Sequence, residues 1–233
     1  ALSNPSKALD PLAFRNEFHA KRVLAAAGIS VPVEILAKTA EEAAEAARSI
    51  GFPVVLKVAS QDIAHKTEVG GVALHLHDET AVRQAHTRIL ESAQRLAPQA
   101  RIDGVVVAPM VGGGVELIAG VSRDPVFGPV VMVGMGGIHA EVLKDVAVQV
   151  APVSQPEALA MIRKLRLFPL LDGARGQPRA DIDAAATLVA RLSEFACRHA
   201  EAVTEIDLNP VLVRPEGQGV VVLDALMVPA HRP

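Results

Sequence analysis

"VELIAGVSRDPVFGPVVMVGMGG", residues 115–137, decides how this chain folds. Its two apolar runs, 115–123 and 128–137, are separated only by "DPVF", and runs so joined read as an antiparallel hairpin. Upstream, "GVVVAPMV" (104–111) is a buried-strand pattern that ends in the glycine cluster 112–114. Farther out lie "VPVEILA" (31–37), "PVVLKVA" (53–59) and "GVALHLH" (71–77), the last with clear apolar–polar alternation. Downstream, "AEVLKDVAVQVAPV" is strand-rich, and strands at 203–214 and 219–227 join through "PEGQG".

Helical periodicity fills the gaps between these strands. It predicts helices over 13–27, on Phe14, Phe18, Val23 and Leu24, and from Thr39 to Gly51 behind a Thr39/Glu42 capping box. Further helices are expected from Asp78 to about 97, over 155–166 behind a Ser154/Glu157 box, and over 182–199. Helices mixed with several hairpins suggest an α+β fold rather than a doubly wound parallel sheet. Residues 1–13, with two prolines and mixed charges, read as a linker. Residues 30–108 form one expected α+β unit, and 14–29 with 109–233 form the other.

Bulk properties exclude several classes. Half of the 233 residues are hydrophobic, ample for a core, and a net charge of −3 gives no polycationic surface for nucleic acid. No uncharged apolar run reaches roughly 18 residues, so no membrane span is expected, and the N-terminus has no basic region followed by an apolar one, so no secretory signal is expected. The single cysteine, Cys197, sits in an apolar helical pattern and fits a packed thiol in a reducing, cytoplasmic compartment. The chain opens on alanine rather than methionine, so a longer parent chain is expected.

Four groups of residues carry possible chemistry, and each has an ordinary reading beside the functional one. Lys57 stands between Leu56 and Val58, either as an edge-strand lysine facing solvent or as a point charge for a nucleotide phosphate. The loop after it holds His65, Lys66 and Thr67 and closes on Gly70 and Gly71. Those two amides suit an anion-binding nest, and His65 is a solvent-exposed loop residue, a proton shuttle or a nucleophile toward phosphorus.

In "EIDLNPVLVRPEGQGVVVLDALMV" (205–228), Asp207 and Asn209 share one strand face. With Arg214 opposite Gly219 or Val220, Asp224 falls opposite Asn209 or Pro210. The result is either an oxygen-only site suited to Mg²⁺ or a capped, charged hairpin. Glu116, after the glycine cluster, either accepts from ribose hydroxyls or faces solvent. No Walker motif, G-x-G-x-x-G or serine-hydrolase context appears, and nothing near His139 supports a catalytic role for it.

Taken in order, "PVVLKV", "HKTEVGGV", "VELIAGVSRDPVFGPVVMVGMGG", "LLDGARGQP" and "EIDLNPVLV" resemble the nucleotide-binding part of NDP-forming acyl-CoA synthetases. That part is the ATP-grasp domain, as in the β subunit of acetate–CoA ligase (ADP-forming), and more distantly of succinyl-CoA synthetase. The resemblance covers about residues 14–228. It implies an ATP-grasp fold, with 30–108 as a small lid and ATP or ADP with Mg²⁺ between the two subdomains.

It further implies Lys57 as the phosphate lysine and "VVVAPMV", with Val107, Pro109, Met110 and Val111, as the hinge whose backbone reads adenine. Glu116 becomes the ribose acid, Asn209 and Asp224 the magnesium ligands with Asp207 beside them, and Gly70–Gly71 part of the phosphate loop. His65 becomes the residue that relays a phosphoryl group to a second histidine on a CoA-binding domain or α subunit, through which CoA and the acyl substrate enter. Family members commonly have an aromatic residue where His139 and Ala174 stand, and nothing in this chain resembles the CoA-binding part. Two other readings accompany this one. One is a nucleotide-sensing module of a regulatory protein such as an acetyltransferase fusion; the other is an ATP-grasp ligase that makes an acyl phosphate.

Overall fold

The hairpin at 115–137 forms as its alternation requires. In the computed structural model, which describes residues 9–63, 65–137 and 145–230 (without the Arg175 side chain), β5 (Val115–Asp124) pairs antiparallel with β6 (Gly128–Met135). Leu117, Ala119 and Val121 of β5, with Val131, Val133 and Met135 of β6, turn into one core. At the turn, Asp124 accepts hydrogen bonds from the Val126 and Phe127 amides, and these hold its carboxyl below the usual range. The α+β expectation holds.

The chain divides into two units, residues 32–112 and the described residues up to 31 and from 113 onward. The first carries β1 (Ile35–Ala37), β2 (Val54–Ser60), β3 (Val72–Leu76) and β4 (Ile102–Pro109) in the order β1-β4-β2-β3. Helices α1 and α2 bear on the two cores separately. α1 (Glu17–Ala26) belongs to the larger unit, and α2 (Ala40–Ile50), behind its Thr39 cap, packs with α3 (Glu79–Leu96) on the small sheet. Val54, Leu56, Val58, Val105 and Val107 meet Ala43, Ala47, Val82 and Ile89 in that core. β3 departs from the expected alternation: Leu56 pairs with Ala73 but Val54 with Leu76, so an irregularity exposes both Leu74 and His75. His75 there takes a φ of 55°.

The larger unit has a sheet ordered β10-β8-β5-β6-β7, formed by β7 (Val146–Val150), β8 (Val203–Val213), β10 (Ala225–Pro229) and the hairpin, with β9 (Val220–Val222) also on β8. Helices α4 (Gln155–Arg163), α5 (Phe168–Leu171) and α6 (Ile182–Arg198) complete this unit with α1, and α4 and α6 pack on one another. The expected Ser154/Glu157 capping box is present. Cys197 is partly buried, and that burial pushes its thiol pKa up.

Three expected boundaries move. A single helix over 13–27 is interrupted because the Asn16 side chain caps α1, leaving Pro11–Phe14 as a separate 3₁₀ turn. That turn buries Ala13, so the end of the expected linker packs into the core, while residues 1–8 lie outside the described residues. The strand expected at 219–227 is two strands, interrupted at Leu223–Asp224. His139 and the first part of "AEVLKDVAVQVAPV" also lie outside the described residues. Among the described residues, no helix is long and apolar enough to cross a membrane.

Candidate functional site

In the 32–112 unit, the site starts from Lys57. Its strand, β2, lies between β4 and β3, and Lys57 pairs in register with Val106 on one side and Val72 on the other. The edge-strand reading is therefore excluded. Because side chains alternate, Val54, Leu56 and Val58 enter the helix-covered core and Lys57 stands on the opposite face, half-buried. A lysine in mid-sheet keeps its stem against apolar neighbours while its charge stays on the surface of that face.

The strand continues into the histidine loop, which is pinned at both ends. At its start, Asp62 accepts from the Arg101 amide and guanidinium at 2.9–3.1 Å, and this pairing holds its carboxyl down at about 2. At its close, the Val58 amide donates to Gly71 O at 2.7 Å. His65 lies exposed between these anchors, with Lys66 half-buried beside it.

The expected nest at Gly70–Gly71 is not what the loop builds. The Gly70 amide donates to Thr67 O at 3.1 Å and the Gly71 amide to Lys66 O at 2.7 Å, so both donors close the loop on itself. The glycines serve packing instead: a Cβ at Gly71 would lie 2.5 Å from Val58 Cγ1 and 2.9 Å from Lys66 O. A depressed Asp62 pKa means the clamp contributes stability that is complete above the ordinary value of 3.8 and lost as pH falls toward about 2. The thermal midpoint of the wild type should therefore fall more steeply over that window than that of Asp62→Asn. Added salt should narrow the difference, because the pair is solvent-exposed.

Along Val107–Val111, expected as the adenine-reading hinge, most backbone donors are already paired. Val107 sits inside the ladder between Ile35 and Leu56, and the Met110 amide donates to Pro53 O at 2.9 Å. Pro109 ends β4 and has no N–H to offer, which leaves its carbonyl and the Val111 region as the part beyond the ladder.

In the larger unit, Glu116 is exposed on β5 and stands over the glycines of "GMGG". Gly136 donates to Glu116 O at 2.8 Å, and a Cβ on Gly136 would lie 3.0 Å from the Glu116 backbone. Gly137, at a φ of +62°, brings its backbone under the Glu116 carboxylate, since a Cβ there would meet Oε2 at 3.0 Å. These glycines border a cavity of about 600 Å³, lined also by Met135, Leu170, Ala174 and Val213. Glu116 supplies an acceptor at the mouth of an otherwise mainly apolar hollow, and Ala174 leaves it wider than an aromatic residue would.

The carboxylates gather as the hairpin register requires. Arg214 N–H donates to Gly219 O at 3.0 Å, and Asn209 N–H to Asp224 O at 3.2 Å, so Asp224 lies across from Asn209. Asp207, two residues back and opposite Leu226, shares that face with Asn209. Burial first, then the charges of Glu205 and Asp224, push the Asp207 carboxyl above its usual range. Negative charge packed this closely fits an oxygen-ligated divalent cation. Among the described residues, no three His, Cys, Asp or Glu side chains form a closed metal cage. Two carboxylates and an amide oxygen suit Mg²⁺, which takes its remaining ligands from water and phosphate.

Periodicity over 13–27 missed a charged stripe. The buried face of α1 is Glu17, Ala20, Lys21 and Leu24, not the expected Phe14, Phe18 and Val23 alongside Leu24. The i, i+4 spacing of Glu17 and Lys21 on the Leu24 face was the signal available.

The helix-covered antiparallel sheets fit the class that the sequence comparison shows: the ATP-grasp domain family matches residues 12–228, and the chain belongs to it. Within that family, the chain is 41% identical to the beta subunit of acetate–CoA ligase (ADP-forming) II from Pyrococcus furiosus over 212 residues, which is 91% of this chain and 90% of that subunit. It is 48% identical to acetate–CoA ligase (ADP-forming) I of Archaeoglobus fulgidus over 85% of this chain, yet spans only 29% of that relative. The fold superposes on acetyl-coenzyme A synthetase 1 of Ca. Korarchaeum cryptofilum with a TM-score of 0.88 at 42% identity, covering 92% of both chains. That structure holds coenzyme A and Ca-AMPCP, and another of the same protein holds Mg-AMPPCP with its phosphohistidine segment pointing towards the nucleotide site.

Proposed function

We propose that this chain is the nucleotide-binding, phosphoryl-transferring part of an ADP-forming acyl-CoA synthetase. The whole reaction is acyl-CoA + ADP + phosphate ⇌ carboxylic acid + CoA + ATP. The reading is supported above all by a chain that spans nine-tenths of a relative named as a β subunit and that carries Lys57, His65, Asn209 and Asp224. The single-chain relative is more than three times as long as the stretch matched here, so CoA and acyl chemistry belong to a partner domain or α subunit. We place this assembly in the cytoplasm.

In the ATP-consuming direction, an unprotonated His65 nitrogen attacks the γ-phosphorus in line. An N–P bond forms, the bond to the β,γ-bridging oxygen breaks, and ADP leaves with that electron pair. His65 then passes the phosphoryl group to the partner's histidine. Lys57 binds the phosphates and offsets their charge, Glu116 accepts from the ribose hydroxyls, and the Val107–Val111 stretch flanks the base. Asp207, Asn209 and Asp224 would hold Mg²⁺, which when bound neutralises phosphate oxygens. The exposure of His65 on a loop tied down at both ends suits a group that must meet two reactants.

Lys57 gives the first test. Lys57→Ala should weaken nucleotide affinity by at least about tenfold, or about 1.4 kcal/mol, in calorimetric titration of the folded variant. Unchanged affinity would remove Lys57 from the phosphate site.

A further inference from the structure

Lys21 is 1% exposed, and its ammonium lies 2.5 Å from Glu17 Oε1 and 3.0 Å from the carbonyl oxygen of Leu223. Leu223 is no arbitrary acceptor. With Asp224 it forms the interruption between β9 and β10, where Leu223 N–H donates to Pro210 O at 2.9 Å and Asp224 O accepts from Asn209. The Asp224 carboxylate in turn accepts from the Ala225 amide at 2.8 Å. A charged bond from α1 thus fixes the peptide that leads directly into Asp224.

Stability alone is a weak reason to bury this pair. Replacing a buried ion pair by apolar groups of similar volume is often neutral or stabilising, because desolvation offsets the Coulomb attraction. A β9–β10 break could be packed with leucine and methionine at no net loss. What an apolar pair cannot do is donate to one chosen carbonyl and so set the direction of the next side chain.

We propose that Lys21, held by Glu17, is a positioning residue for Asp224: its bond to Leu223 O sets the carboxylate for the divalent cation that accompanies the nucleotide. This rests on the assignment of Asp224 as a cation ligand, and it concerns residues remote in sequence from every motif that suggested that assignment.

The test uses Mn²⁺ as the probe, titrated by electron paramagnetic resonance into the full chain with saturating ADP, alongside the thermal midpoint. The variant Glu17→Leu/Lys21→Met removes both members of the pair together, and circular dichroism with the thermal midpoint checks that it is folded. Its Mn²⁺ dissociation constant should rise about 10- to 100-fold, as for other outer residues that orient a metal ligand. Its thermal midpoint should hold or rise. Ser193→Ala, which removes a buried hydroxyl bonded to the Val153 amide, should lower the midpoint and leave Mn²⁺ affinity unchanged. In an Asp224→Ala background the pair replacement should have no further effect on Mn²⁺. If Asp224→Ala weakens Mn²⁺ but the folded pair variant binds as wild type, the positioning role is overturned while the cation site stands. If Asp224→Ala itself binds Mn²⁺ as wild type, the cation site is wrong and the role of Lys21 falls with it.

Discussion

Replacing His65 with alanine should leave nucleotide binding intact and slow phosphoryl transfer to the partner by at least about a thousandfold, since no other group replaces the lost nucleophile. The structural grounds are specific. His65 is exposed, its loop is fastened by Asp62–Arg101 and by the Val58–Gly71 bond, and neither fastening uses the imidazole. Removing the ring therefore takes away chemistry without loosening the fold. Binding would be read by calorimetry with ADP, and transfer by label appearing on the partner from γ-labelled ATP. A variant that transfers at the wild-type rate would make His65 an ordinary loop residue.

The second large effect falls on the acidic face of the larger sheet. Asn209→Ala and Asp224→Ala should each raise the Mg²⁺ concentration needed for half-maximal nucleotide binding by at least about tenfold. Their effects should not add: residues that share one ion couple by about 0.5–3 kcal/mol in a double-mutant cycle. The motivation is the cross-strand placement of Asp224 against Asn209, with Asp207 beside them pushed up in pKa by burial and by two acidic neighbours. Strict additivity would reduce the cluster to a charged hairpin.

How much of this was legible in the sequence depended on whether the information was local. Alternation and a short turn were enough for the hairpin at 115–137, and caps such as Thr39, Asp78 and Ser154 set helix starts correctly. The 214–219 closure was readable too, and it carried Asp224 to Asn209. The interruption at Leu223–Asp224 was not, because both halves of "VVVLDALMV" look like strand and the break is set by the facing Asn209–Pro210 and by Lys21 from α1.

Strand order is likewise non-local. "PVVLKV" is the same string on an edge or in mid-sheet, yet only its central place between β4 and β3 excludes the edge-strand reading of Lys57. At Gly70–Gly71 a glycine pair suggested free amides, whereas the loop spends them on Thr67 and Lys66 carbonyls and needs the glycines for close packing, Gly70 on Ser92 and Gly71 on Val58. The stretch expected to read adenine shows the same limit, since the sequence does not say that Met110 N–H is taken by Pro53 O. For Glu116, the glycines that shape its surroundings lie twenty residues away, on the other arm of the hairpin.

A covalent phosphohistidine carries the proposed transfer, and one measurement meets it directly. The chain would be mixed with its CoA-binding partner, Mg²⁺ and γ-labelled ATP, quenched in alkali, and mapped by mass spectrometry for acid-labile, base-stable phosphate. The expected result is label on His65 that chases to the partner's histidine and returns to ATP on adding ADP. Nucleotide bound with the affinity of a working site, but no phosphate on His65 at any time, would contradict the account and leave a module that senses nucleotide without transferring it.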